Sequence, residues 1–110
     1  MPLADDYILR IVREFAQFVA RVLRLRTEGK HEDAHEAIRQ GYPIYLGVPK
    51  DIADALTPAS LVEVLGSKER IAAAVQLLDE EAALFRAQGD PWSADERARR
   101  AAALRGLGRS

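Results

Sequence analysis

The periodicity of apolar residues over residues 7–28 constrains the fold more than any other feature of the sequence. Apolar side chains recur there at intervals of three and four, which predicts an amphipathic helix. Their arc is wider than the apolar face of an ordinary surface helix. We therefore expect the helix to pack against two neighbours, or against one neighbour and a second subunit. The arc consists of Ile8, Ile11, Val12, Phe15, Phe18, Val19, Val22 and Leu25.

The remaining helices are predicted from similar periodicity and from residues that start or stop helices. Asp5 or Asp6 can cap the first helix, and Gly29 ends it. A second helix is expected over residues 31–46, with Pro43 inside its pattern as a kinking residue. Short pieces follow at 51–56 and 59–65. Long helices are expected at 68–88 and 94–107, the latter fraying after residue 104, and no segment alternates as a strand does.

Four of these helix ends carry a recognisable cap. Thr57 before a proline and Ser67 before the long helix are expected N-caps. Ser93 with Glu96 has the spacing of a capping box, S-x-x-E, and predicts the start of the last helix. Gly89 is expected to end the helix before it, and Gly29 is expected to end the first helix in a left-handed conformation.

The sequence contains an internal similarity at an offset of 60 residues. Gly29 and Gly89 each precede a small residue by five positions, Ala34 and Ala94, and each lies between a long helix and a following one. This arrangement resembles the tetratricopeptide pattern, in which a glycine turn joins paired helices. The usual repeat has about 34 residues, so we expect two separate helical hairpins and no continuous array.

The chain also resembles a family of uncharacterised bacterial proteins, a domain of unknown function, over about residues 5–104. The resemblance implies a helical fold and no particular activity. It is carried by Asp6-Tyr7-Ile8 with Arg10, Phe18-Val19-Ala20-Arg21-Val22-Leu23, Gly29-Lys30, Leu46-Gly47, Leu77-Leu78-Asp79-Glu80-Glu81-Ala82 and Gly89-Asp90.

Composition narrows the function classes. The formal net charge is −1, so the chain as a whole is not a polyanion binder. There is no cysteine, which excludes disulfides and thiolate sites and favours the cytoplasm. The first six residues do not look like a secretory signal, and no stretch has the roughly 20 uncharged apolar residues that span a bilayer. We expect no membrane association and no cofactor.

One motif could bind a metal. His31, Glu32 and His35 form a literal H-E-x-x-H, in which two histidines on one helix face bind zinc and the glutamate acts as general base. The alternative interpretation is a polar helix start that faces solvent. A third protein ligand is needed, and only a carboxylate such as Glu63 or Glu80 could supply it. We favour the polar helix start and expect no metal site and no catalytic residues.

Four arginines on the polar face of the first helix are the second candidate. They are Arg10, Arg13, Arg21 and Arg24, and they could contact phosphates or an acidic partner. The alternative is a solvated face with Glu14 and Glu28 as local partners. Because no aromatic residues interleave with these arginines to stack bases, we do not expect nucleic acid as a partner.

Two further groups are given structural interpretations. The basic end of the chain, from Arg97 to Arg109, is interpreted as a frayed helix tail, although it could contact an acidic partner. Tyr42, Tyr45 and Trp92 are interpreted as core or turn-packing aromatics.

Together these features predict one all-α domain over residues 1–110, with five to six helices. Hairpin 1 is expected at about 5–46, a short-helix insert at 47–66 and hairpin 2 at about 67–107. The favoured function is a small protein–protein interaction module, an adaptor or assembly factor that forms a homodimer and is not an enzyme. The alternatives are a zinc-dependent hydrolase through His31, Glu32 and His35, and a nucleic-acid-associated protein through the four arginines.

Overall fold

The computed structural model describes residues 3–108, which form six α-helices, one π-helical turn and no strand. The prediction of an all-α fold with five to six helices is confirmed. The elements in chain order are α1 Leu3–Thr27, α2 His31–Gly41, the π-helical turn Tyr42–Leu46, α3 Lys50–Ala55, α4 Pro58–Leu65, α5 Lys68–Ala87 and α6 Pro91–Gly108.

Two antiparallel helix pairs, α1 with α2 and α5 with α6, make up most of the molecule. Their turns have the same geometry, since Gly29 has φ +75° and Gly89 has φ +78°, as expected for left-handed helix ends. In both turns the residue after the glycine donates to the carbonyl five positions before it, over 2.9 Å. Ala34 and Ala94, five residues after the glycines, are both fully buried.

The second helix changes geometry where proline was expected to kink it. The regular α-helix ends at Gly41 and not at residue 46, and the backbone widens into the π-helical turn. Pro43 has no N–H to donate to the preceding turn, and a π turn accommodates this loss. As a result Tyr42 points into the core, whereas Ile44 is exposed and Tyr45 lies against α1.

Of the three N-caps predicted for α4, α5 and α6, two are confirmed and one is wrong. Thr57 accepts from the amide of Ser60, and Ser67 accepts from the amide of Arg70, each over 3.2 Å. The last helix starts three residues earlier than predicted, because Asp90 accepts from the amide of Ser93 over 3.1 Å. Proline follows Asp90 at the first helical position, where its missing N–H costs nothing.

The two ends of the helical region also differ from expectation. The first helix already includes residues 5 and 6, so Asp5 and Asp6 lie inside α1 and are not its caps. At the other end α6 continues to Gly108, so the predicted fraying after Leu104 is wrong. Leu104 is fully buried and ties this last turn to the core.

The core lies between the two helix pairs, and α5 contacts α1, α2, α4 and α6. None of the helices across residues 3–108 combines the length and apolarity that crossing a bilayer requires. The largest fully buried side chains are Tyr42, Ile38, Leu46, Leu61, Leu65, Leu77, Leu78, Leu84, Leu104 and Val22.

Candidate functional site

The apolar arc of α1 is covered at one end of the helix and bare at the other. Ile8, Phe15 and Val22 are seven residues apart, so they point in nearly the same direction. Val22 is 0% exposed and Phe15 is half-buried, yet Ile8 is 55% exposed. The helices that cover the second half of α1 therefore do not reach its first half. Four side chains of α1, Tyr7, Ile8, Ile11 and Val12, are exposed there, as is Ile44 of the neighbouring π-helical turn. We call these five residues together the bare α1 face.

An aromatic cluster marks the boundary between the covered and bare parts of α1. The ring centroids of Phe15 and Phe18 each lie 5.1 Å from that of Tyr45 in the π-helical turn. Beyond it a groove of about 330 Å³ opens between α1, the π-helical turn and the start of α5. Its apolar walls come from the bare α1 face, and Glu69 and Arg70 lie among its polar residues.

The predicted arginine row lies on the polar face of α1 and borders the bare α1 face where Arg10 contacts Tyr7. Arg10, Arg13, Arg21 and Arg24 are all exposed, and none of their guanidinium groups forms an ion pair with another side chain of residues 6–108. Glu28, which was expected to pair with these arginines, forms an ion pair with Lys30 at 3.6 Å instead. The guanidinium carbon of Arg10 lies 5.8 Å from the ring centroid of Tyr7. The row is thus available to an external partner.

The H-E-x-x-H stretch forms the first turn of α2, as predicted. His35 is hydrogen-bonded through Nε2 to the side-chain oxygen of Gln88 over 2.6 Å, and its ring packs 4.9 Å from that of Phe85. Glu32 is exposed. Over the described residues 3–108, no group of three or more histidine, cysteine or acidic side chains is arranged to hold a metal ion. The structure therefore places His35 in the contact between α2 and α5.

A second group of functional interest is a cluster of charged side chains that was not predicted from the sequence. Glu81 on α5 is only 3% exposed, and one oxygen lies 3.0 Å from Lys50 Nζ while the other lies 3.3 Å from an Arg97 nitrogen. Asp54 contacts the same two cations, at 2.6 Å and 2.8 Å. We call Lys50, Asp54, Glu81 and Arg97 the ion-pair cluster. It joins α3, α5 and α6 in one network.

The surroundings of the ion-pair cluster shift several pKa values. Burial alone raises the pKa of Asp54, but the hydrogen bonds from Lys50 and Arg97 outweigh it and hold that pKa below its usual value. A hydrogen bond from Arg97 likewise lowers the pKa of Glu96. Burial, aided by the charges of Glu81 and Asp54, raises the pKa of the Tyr42 hydroxyl above its usual value. Asp54 and Glu96 are therefore held in their charged forms, whereas the Tyr42 hydroxyl is held in its neutral form.

Part of the basic chain end belongs to this region, and the described part is not a frayed tail, while Arg109 lies outside the described residues. Arg97 enters the ion-pair cluster, and Arg100 donates to the carbonyls of Ala53 and Leu56 over 2.6 Å and 2.7 Å. These carbonyls lie at the end of α3, where helix geometry leaves acceptors unpaired. Arg100 therefore holds the end of α3 against α6.

A cleft of about 420 Å³ opens above the ion-pair cluster. The prediction that Trp92 is a packing aromatic is wrong, because its side chain stands at the edge of this cleft and is 85% exposed. Tyr42 and Tyr45 do pack as predicted. The lining residues are Lys50, Asp54, Glu81, Phe85, Trp92, Ser93, Glu96 and Arg97.

The sequence does contain a signal for the ion-pair cluster, although a weak one. Glu81 follows Leu78 by three residues and precedes Phe85 by four, so it occupies a position on the apolar stripe of α5. A charged residue at such a position needs a buried partner. Lys50 and Asp54 are four residues apart, the spacing of an ion pair on one helix. No local sequence pattern shows that Glu81 meets Lys50 and Asp54 in the folded chain.

Comparison with protein-family models, curated proteins and solved structures finds no match to this chain. The resemblances to a bacterial family of unknown function and to tetratricopeptide hairpins therefore stay predictions. The site itself is the basis for the function proposed below.

Proposed function

We propose that this protein is a small helical interaction module that forms a homodimer through the bare α1 face. The observation that carries the proposal is the contrast along one stripe of α1, where Val22 is fully buried and Ile8 is 55% exposed. A helix that keeps the same apolar pattern over its whole length, but is covered over only half of it, has a face left to bury. Burial of apolar surface is the dominant driving force of association.

The size of the bare α1 face fits a contact between proteins. It consists of five large apolar side chains that are each 38–70% exposed, and contiguous exposed apolar patches of this kind mark sites of protein association. One partner of a standard interface contributes about 800 Å². The polar groove residues, which include Ser67, Glu69 and Arg70, supply a rim of the kind that surrounds an apolar interface centre.

The charge distribution favours a second copy as the occupant of this face. In a twofold interface each surface meets itself, so a surface of one charge sign repels its own copy. The charged residues that line the groove are one acid, Glu69, and one base, Arg70, so their charges balance. The arginine row on the polar face of α1 has four positive charges, and it is excluded as the centre of a twofold contact for the same reason.

The test is the molar mass of the chain in solution, measured by light scattering over a range of concentrations. We expect the wild-type chain to be a dimer and Val12→Glu to be a monomer, because the substitution places a charge in the apolar contact. The matched control is Val64→Glu on α4, which is equally exposed but belongs to neither the bare α1 face nor the groove. This variant should remain a dimer.

A wild-type chain that stays monomeric at high concentration contradicts the proposal, and so does dissociation of both variants. Because the sequence has no cysteine, a single Ile8→Cys substitution gives a further check. In the dimer this position should be protected from a thiol-labelling reagent, whereas Val64→Cys should be labelled readily.

The arginine row is proposed as the surface for an acidic protein partner of this module. Four unpaired guanidinium groups extend over about 21 Å of helix, from Arg10 to Arg24. Capture from host lysate should yield a protein that the wild type retains and the variant with all four changed to Glu loses. Because Arg10 contacts Tyr7 of the bare α1 face, a further bait with only Arg13, Arg21 and Arg24 changed to Glu is needed. It should lose the same protein while keeping the molar mass of the wild type. Retention of the same protein by the wild type and both variants excludes the row.

We further propose an evolutionary relationship for the two helix pairs and a cellular compartment for the protein. The equivalent glycine turns of the two helix pairs support a tetratricopeptide-like origin for the hairpins. The absence of cysteine supports work in the reducing cytoplasm.

A further inference from the structure

The cleft above the ion-pair cluster has features of a binding site that the proposed dimer does not use. It is formed by α3, α5 and α6, and none of its lining residues belongs to the bare α1 face. Its volume of about 420 Å³ accommodates a single large side chain or a small molecule. Binding in this cleft is therefore independent of dimer formation through the bare α1 face.

Trp92 is the feature of the cleft that most needs an explanation. Tryptophan is the largest side chain and is highly buried on average, yet here it is 85% exposed at the second residue of α6. It contributes little to the core in this position. Tryptophan is also the residue type most enriched at binding hot spots. The indole stands beside a concave surface and is free to cover a ligand that enters it.

The accessible charge in the cleft is negative. The lining includes three carboxylates, Asp54, Glu81 and Glu96, against two cations. The cation side chains are only 12% and 13% exposed and are already paired, whereas that of Glu96 is 51% exposed. Arg97 donates one hydrogen bond to each Glu96 oxygen, and each oxygen keeps a lone pair that accepts from a second donor. An anion entering the cleft therefore meets carboxylates before it meets a free positive charge. A cation meets Glu96 first.

The positions of Trp92 and Glu96 suit a cation in one further respect. They are four residues apart on α6, so their side chains lie on the same face of the helix. An aromatic ring attracts a cation to its face, most strongly when the ring is an indole. Among biological cations the planar guanidinium group both stacks on aromatic rings and forms two parallel hydrogen bonds to a carboxylate.

We propose that this cleft binds the arginine side chain of a partner peptide, with the guanidinium group stacked on Trp92 and paired with Glu96. The ion-pair cluster forms the floor of this site and fixes the position of α6. Ser93, which also lines the cleft, supplies a hydroxyl for the peptide backbone.

The test uses Trp92 as its own reporter, because it is the only tryptophan in the sequence. The full chain is titrated with N-acetyl-arginine amide and with N-acetyl-citrulline amide, which has nearly the same shape but no charge. We expect a saturable change in Trp92 fluorescence with the arginine probe, in the millimolar range for a ligand of this size. The citrulline probe should bind about tenfold more weakly or not at all.

Two variants locate the interaction. Glu96→Gln should weaken arginine binding by about tenfold. Glu63→Gln removes the same charge from an exposed position on α4 outside the cleft, and it should bind like the wild type. A Trp92→Leu chain, followed by line broadening of the probe in NMR spectra, should lose binding while keeping the wild-type circular dichroism. The Trp92→Leu variant keeps the test valid if Glu96→Gln disturbs the ion pairs of Arg97.

Three outcomes overturn the proposal: no saturable response to the arginine probe, equal responses to both probes, or equal weakening by Glu96→Gln and Glu63→Gln. None of them bears on the dimer, because molar mass is measured without any probe. Conversely, a monomeric wild-type chain that binds the arginine probe removes the dimer and leaves the cleft proposal standing.

Discussion

Asp54 on α3 accepts a hydrogen bond of 2.8 Å from Arg97 on α6, although the two residues are 43 positions apart in the sequence. Glu81 of α5 contacts the same guanidinium group and also Lys50 of α3. Three helices are thus joined by four charged side chains that are mostly removed from water. Such a network stabilises a fold only while every charge keeps a partner.

The first prediction concerns the central acid of this network. Glu81→Ala leaves two nearly buried cations with one fewer carboxylate, and we expect it to lower the free energy of unfolding by about 3 kcal/mol. Urea unfolding followed by circular dichroism measures the change. Glu63→Ala, at an exposed position on α4, is the control and should stay within about 0.5 kcal/mol of the wild type. Equal unfolding curves for the two variants contradict a structural role of the cluster.

The second prediction is a loss of stability in acid. Hydrogen bonds from the neighbouring cations hold the pKa of Asp54 and of Glu96 below their usual values. The stabilisation from such a group is complete above its unfolded pKa of about 4 and is lost as the pH falls through its lower folded pKa. Melting temperatures should therefore decline steeply below about pH 4.

Glu80 acts in the opposite sense, because burial raises its pKa. Its protonation favours the folded state, so it partly offsets the first losses on acidification. The Asp54→Asn chain tests which group dominates, since it should start less stable at neutral pH and decline less steeply in acid. Parallel declines of wild type and variant show that Asp54 is not responsible.

The local features of this fold could be predicted from the sequence, whereas the features that depend on helix crossings could not. Gly29 and Gly89 end their helices as predicted because a left-handed turn is decided by a few neighbouring residues. The cap of α6 was misplaced because Asp90 and Ser93 are both suitable caps. The proline after Asp90 decides between them, and its preference for the first helical position was the missed signal.

The features of the candidate site also separate into those set by local sequence and those set by helix packing. The wide apolar arc of α1 was visible in the sequence, and it predicted a second neighbour or subunit. Which half of the arc is bare depends on how far the covering helices reach, and periodicity does not contain that information. The exposure of Trp92 and the pairing of Glu81 likewise depend on the packing of α6 against α3 and α5. A residue pattern on one helix cannot show them.

The third prediction concerns His35, the second histidine of the H-E-x-x-H stretch. Its hydrogen bond to Gln88 and its packing on Phe85 give it a place in the contact between α2 and α5. We expect His35→Ala and Gln88→Ala each to lower stability by about 1 kcal/mol. The double variant should lose less than the sum of the two, because they share one interaction.

Added zinc should leave the melting temperature of the wild-type chain unchanged, since a ligand raises stability only when it binds the folded state. A zinc-dependent rise that His31→Ala abolishes is the result that contradicts this interpretation. It would restore the hydrolase alternative of His31, Glu32 and His35.

The fourth prediction compares two glycines in helices. Gly41 ends α2 directly against the ring of Phe18, so an added Cβ overlaps that ring. Because Phe18 is also packed between Phe15 and Tyr45, it has little room to move. We expect Gly41→Ala to cost about 2 kcal/mol of stability.

Gly106 lies within α6 with nothing close to the position of an added Cβ. Gly106→Ala should therefore raise stability by about 0.5–1 kcal/mol, because alanine loses less backbone freedom than glycine when a helix forms. Thermal melts of both variants measure the two effects. A gain from Gly41→Ala contradicts the close contact of α1 with α2, whereas a loss from Gly106→Ala contradicts the extension of α6 through its last turn. The two substitutions thus test the two helix pairs separately, with the same chemical change in each.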